Sequence, residues 1–88
     1  SEENNPGLVR ISYTVKLGDC ERGKKFEILS VRCGRRDAGR LWRTGICPKA
    51  CGEIVWRSGN GDTVLFVNGA LIGLSVYFSD LIEVKEIE

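Results

Sequence analysis

The 88-residue chain carries 13 basic and 12 acidic residues, a net charge of +1, and is 42% hydrophobic, which suits one small globular domain and not a disordered chain. It contains no His, which removes the Ser–His and Cys–His nucleophile pairs and His-ligated zinc. The longest apolar stretch, Ala70 to Phe78, is nine residues, far short of the roughly 20 that a membrane helix needs. With no charged-then-apolar leader at its start, the chain is expected to be an intracellular domain and a binder rather than an enzyme.

Residues 1–10 are read as a flexible N-terminal extension, being polar, interrupted by Pro6 and without periodicity through Gly7. From Ile11 to Leu17, apolar Ile11, Tyr13, Val15 and Leu17 alternate with polar residues, the period of a half-buried strand. A turn over Gly18–Gly23, with Asp19 and Glu21 as turn residues, leads to a second strand, Lys25 to Val31. The segment Cys33 to Gly45 is the helical candidate, with Asp37 as N-cap, Ala38, Leu41 and Trp42 on one stripe, and Gly45 at the C-cap. So short a helix, weakened by Gly39 by about 1 kcal/mol relative to Ala, persists only by packing Leu41 onto a sheet.

After Pro48 and Gly52, strands are predicted over Glu53 to Arg57, Asp62 to Val67 and Ala70 to Val76, separated by Asn60-Gly61 and Asn68-Gly69. Asn-Gly is the preferred hairpin pair where φ is positive twice. A single turn over Tyr77–Asp80 precedes a last strand, Ile82 to Lys85. The pattern predicts a mostly β protein: a small barrel of five to six short strands, with one short helix between the second strand and the Pro48 loop.

Charge is unevenly divided. From Arg22 to Lys49 there are nine basic and two acidic residues, a balance of +7, and the remainder carries −6. Such a split builds a basic face that orients a partner, unless the fold scatters the charges around the barrel. Nucleic-acid binding is not expected at so small a net charge, with most aromatics inside strand patterns.

Three stretches, in order and spacing, resemble a FeoA-family domain over nearly the whole chain from Leu17 to Ile87. They are Leu17-Gly18-Asp19-Cys20-Glu21-Arg22-Gly23 with the strand after it, Arg40-Leu41-Trp42-Arg43-Thr44-Gly45-Ile46-Cys47-Pro48, and Val67-Asn68-Gly69-Ala70-Leu71-Ile72-Gly73-Leu74 followed by Leu81-Ile82-Glu83-Val84. The resemblance implies an SH3-like barrel over 11–88, non-enzymatic and cytoplasmic. It further implies an accessory of ferrous-iron uptake whose partner is the FeoB-type membrane GTPase-permease. The same domain occurs in DtxR-type repressors, but without a helix-turn-helix half here a repressor role is not expected. Three positions depart from the family pattern. Lys49 stands where the family has Gly, so it must accept positive φ or force another turn. Cys20 replaces a Leu, and Gly52 stands near an expected apolar strand residue.

The partner-binding residues expected from this reading are Arg35, Arg36, Arg40, Arg43 and Lys49, because guanidinium groups grip acidic partners bidentately. The cysteines, Cys20-x12-Cys33-x13-Cys47-x3-Cys51, lack the two close pairs of a zinc ribbon. Cys33, Cys47 and Cys51 nevertheless form a candidate iron or zinc set, since a two-turn helix spans only about 10 Å. That set supports an alternative reading as a metal sensor or carrier, although free cysteines in a reducing cytosol are usually small buried hydrophobes. No cofactor is expected to be required. A third reading, an SH3-like peptide binder, would use Trp42, Trp56, Tyr77 or Phe78, most of them expected to be partly buried. Weak self-association is a further expectation. Catalytic residues are not expected: no nucleophile–base pair can be built, and Gly59-x-Gly61 lacks the helix and Lys of a nucleotide loop.

Overall fold

The computed structural model describes residues 14–87; the predicted extension, 1–10, and the start of the predicted first strand, 11–13, lie outside the described residues. Strands β1 (Thr14–Lys16), β2 (Lys25–Val31), β3 (Cys51–Arg57), β4 (Thr63–Val67), β5 (Ala70–Leu74) and β6 (Ile82–Ile87) form one antiparallel sheet in the order β1-β6-β2-β3-β4-β5. Helix α1 (Arg35–Arg43) joins β2 to β3, and a single-turn helix, α2 (Val76–Ser79), joins β5 to β6. The predicted strands are all present; β5 is shorter than expected because Val76 already belongs to α2. Leu17, read as strand, instead opens a 3-10 turn over Leu17–Asp19.

Alternating side chains fill the interior. Leu17, Phe26, Ile28, Ile54, Leu65, Val67, Ile82 and Val84 are fully buried; they come from β2, β3, β4, β6 and the residue after β1, so no single strand holds the core alone. Cys20 is fully buried as well and fills its place in the core as a small hydrophobe. Among the described residues, the terminal strands β1 and β5 do not pair, so backbone bonds do not close the barrel. Instead α2 packs on both β5 and the 3-10 turn, bridging the gap with side chains.

The two predicted Asn-Gly hairpins differ. Asn68 (φ 51°) and Gly69 (φ 80°) form the two-residue turn between β4 and β5, both left-handed as expected. At the other site only Gly61 (φ 95°) is left-handed. There the Ser58 N–H bonds the Asp62 carbonyl at 2.8 Å and the Asp62 N–H bonds Ser58 Oγ at 3.0 Å, giving a longer loop. The Ser58 hydroxyl offers the backbone an alternative to the tighter turn.

Candidate functional site

Helix α1 carries most of the predicted site, and its ends explain its position. Its N-cap is Gly34, not Asp37, and no side chain caps it. The chain reaches the helical conformation three residues earlier than expected, so Asp37 falls in the first turn, where its charge complements the helix dipole. Arg40 and Arg43 occupy the last turn, the favourable end for cations. The C-terminus is a Schellman motif. Gly45 (φ 99°) donates to the Trp42 carbonyl and Ile46 to the Leu41 carbonyl, both at 3.0 Å. Leu41 and Ile46 are also both in the core, the apolar contact that accompanies this motif. Leu41 thus fixes the helix to the sheet, as expected.

With Leu41 facing inward, the guanidinium groups face out. Arg35, Arg36, Arg40 and Arg43 are exposed and, with Gly39, line an open concavity of about 470 Å³. Arg36, Arg40 and Arg43 follow helical spacing, and Gly39 leaves the space between them open. The ion pairs among the described residues are Arg32–Glu83 and Lys85–Glu27, so none of these four has an acidic partner there. Lys49 is not part of this group. It sits at φ 76° in the turn Cys47–Ala50, closed by Ala50 N–H to the Cys47 carbonyl at 3.1 Å. Pro48 before it makes this a type II turn, with Lys in the position that favours Gly.

The candidate metal set is not gathered. Among the described residues no three His, Cys, Asp or Glu side chains lie together as a metal site. Cys33 lies before α1, Cys47 opens the Pro48 turn, and exposed Cys51 starts β3. Cys20 is distinct from them: burial, reinforced by the Glu86 carboxylate 3.7 Å from its Sγ, pushes its pKa from 9.0 to about 11. Burial, with Asp37 adding, also pushes the Cys33 thiol up. Under iodoacetamide at pH 8, Cys51 is expected to be alkylated and Cys20 to remain protected until the protein unfolds, as peptide mass mapping would read.

The aromatic residues correct another expectation. Trp42 (57%), Trp56 (49%) and Tyr77 (64%) are exposed, and only Phe78 is half-buried. Trp42 lies one position past Leu41 and so points away from the core. Trp56 stands opposite Val64, and Phe66 opposite Leu71, on the outer face of the β3–β4–β5 sheet. A feature that sequence reading missed lies beside β5: a groove of about 290 Å³ between α1 and β5, with Leu41, Ile72, Leu74 and Phe78 among its walls. Its one signal in the sequence is Gly73, an open position inside an otherwise apolar strand.

One antiparallel sheet of six strands in this order, with a short helix between its second and third strands, is an SH3-like architecture, and this chain has a FeoA-like fold. It is similar to a crystal structure of an iron uptake regulatory protein, FeoA, with a TM-score of 0.79 and 17% identity over 85% of this chain and 100% of that one. It is also similar to the solution structure of iron(II) transport protein A from Clostridium thermocellum, with a TM-score of 0.78 and 27% identity over 83% of this chain and 46% of that one. A manganese-dependent transcriptional repressor shares the fold at a TM-score of 0.76 and 16% identity, over 96% of this chain and 48% of the repressor. No family model and no curated protein matches the sequence. Among the described residues, no helix is long and apolar enough to cross a membrane.

Proposed function

We propose that this protein is a small cytoplasmic accessory of ferrous-iron uptake that acts by binding a FeoB-type GTPase-permease through α1. The observation that carries this reading is the fold it shares with FeoA and with iron(II) transport protein A. The Arg face supports its placement on α1: four exposed guanidinium groups have no acidic partner among the described residues. Such groups add specificity and speed to an encounter with an acidic surface. The reading needs no metal and no catalytic step. Metal carriage by Cys33, Cys47 and Cys51 has no gathered donor set behind it.

The test is co-purification of the tagged protein with the permease. The double variant Arg36→Glu/Arg40→Glu is expected to lose at least about tenfold in capture, since attraction becomes repulsion. Its circular dichroism and melting temperature should stay those of the parent, because both side chains are exposed. Equal capture of parent and variant would remove α1 as the site. No capture of the parent by a folded permease would remove the proposed function itself.

A further inference from the structure

We propose that the groove between α1 and β5 receives an extended acidic and apolar segment of the partner, which adds to β5 as a further antiparallel strand. The source of the segment rests on the partner-binding reading above; its chemistry rests on the groove.

Strand β5 is an edge. Among the described residues it pairs with β4 alone, in unbroken register from Thr63↔Leu74 to Val67↔Ala70. A two-residue hairpin closes on a hydrogen-bonded pair, here Val67↔Ala70, and alternation then directs the Ile72 and Leu74 backbone groups to β4 as well. The N–H and C=O of Leu71 and Gly73 are therefore left for the free edge. Natural edges are usually protected by Lys, Pro or a bulge. The sequence Ala70-Leu71-Ile72-Gly73-Leu74 has none of these.

Helix α1 runs beside this edge. Its C-terminal end meets the β4–β5 turn, where a Cβ on Gly45 would come within 2.8 Å of Asn68 Nδ2. Nearer its N-terminal end, Asp37 shares the groove with Leu74 and Phe78. A slot bounded by an open strand edge and a helix is the geometry of strand addition, in which main-chain bonds hold the guest and alternate side chains enter pockets. Leu41, Ile72, Leu74 and Phe78 provide apolar walls, and Arg40 borders both this groove and the Arg concavity.

Charge selects the guest. A second copy of the chain pairing through its own β5 would bring two Arg-bearing helices face to face, which like-charge repulsion opposes. An acidic segment meets Arg40 on the groove wall instead, with Arg36 and Arg43 in the adjoining concavity. Asp37, the one acid on the groove, disfavours carboxylates at the helix N-terminal end and so gives the guest a preferred direction.

The probe is a capped seven-residue peptide of alternating Glu and Val, titrated into the isotopically labelled protein and followed by amide NMR. The expected result is saturable shifts at Leu71 and Gly73 and slowed hydrogen exchange of both amides. At least tenfold weaker binding is expected for Arg40→Glu, and likewise for a peptide whose β5-facing amides are N-methylated. No binding, or equal binding of an all-Glu peptide with Leu71 and Gly73 unmoved, would overturn strand addition. Concentration-dependent shifts at these amides without peptide, with a dimer by sedimentation, would overturn it in favour of a second copy. If the peptide fails while the permease still captures the parent and not the double Arg variant, the groove assignment falls and the proposed function stands. If the peptide binds and the permease captures nothing, the groove chemistry stands and the partner reading falls.

Discussion

Replacing Gly52 by Ala is expected to destabilise the domain by about 3 kcal/mol, and replacing it by Val by more. Gly52 lies mid-sheet in β3, paired with Phe26 of β2 on one side and Val67 of β4 on the other. A Cβ there would come within 2.5 Å of the Phe66 carbonyl oxygen, 2.6 Å of Val67 Cγ2 and 3.0 Å of Phe26 Cζ. The first is backbone, and the other two belong to side chains that are themselves fully buried, so none yields cheaply. A domain of this size is stabilised by only about 4–13 kcal/mol, at roughly 0.05–0.15 kcal/mol per residue. A loss of about 3 kcal/mol would lower the melting temperature by more than about 10 °C. The opposite sign is the informative alternative: if the methyl group fitted, Ala would stabilise by about 0.5–1 kcal/mol through lower chain entropy. Urea unfolding of the two proteins decides between them.

Arg57→Met is expected to destabilise the fold by a similar amount, about 3 kcal/mol, and Arg57→Lys to recover less than half of it. Arg57, the last residue of β3, acts as a clamp. Its Nη1 donates to the Cys20 carbonyl at 2.8 Å, its Nη2 to the Leu17 carbonyl at 3.0 Å, and its Nε to Thr63 Oγ1 at 3.1 Å. The 3-10 turn and Cys20 are thereby tied to the far side of the sheet, across 37 and 40 residues of sequence. Lys retains the charge but cannot reproduce three donors in a planar fork. Chemical denaturation measures the loss. Faster alkylation of Cys20 in Arg57→Met would show that the segment carrying it has been released; unchanged stability and protection would remove the clamp.

The sheet was legible because its signals are local. Alternation in Lys25–Val31 and Thr63–Val67 and the Asn68-Gly69 pair each act within a few residues, and each produced the expected element. Helix α1 was legible for the same reason, and the spacing of Arg36, Arg40 and Arg43 brought them to one face. What was not legible depends on contacts distant in sequence. Gly52 looked like a missing apolar residue because the Phe26 ring that occupies its space comes from another strand. Arg57 reads as one more surface charge until its carbonyl partners are placed beside it. Trp42 and Trp56 look like core by composition, and only the neighbouring Leu41 and the bulge between Ile54 and Trp56 show that they face outward. Lys49 stayed apart from the arginines because the type II turn, not charge, sets its direction. The α1–β5 groove joins residues about 30 positions apart along the chain, beyond the range of any periodic pattern.

The sheet order also sets a schedule for folding. Strands β2 to β5 can pair in succession as they leave the ribosome, each with the one before it. The second edge of β2 and the one sheet partner of β1 both wait for β6, with Thr14 meeting Lys85 and Lys25 meeting Ile87. Until then the ribosome-bound chain holds an open four-stranded meander, and such distant pairings are slow to form. The finished domain therefore waits for β6 to leave the exit tunnel, and a nascent chain stalled before Ile82 would offer the free edge of β2 to other strands.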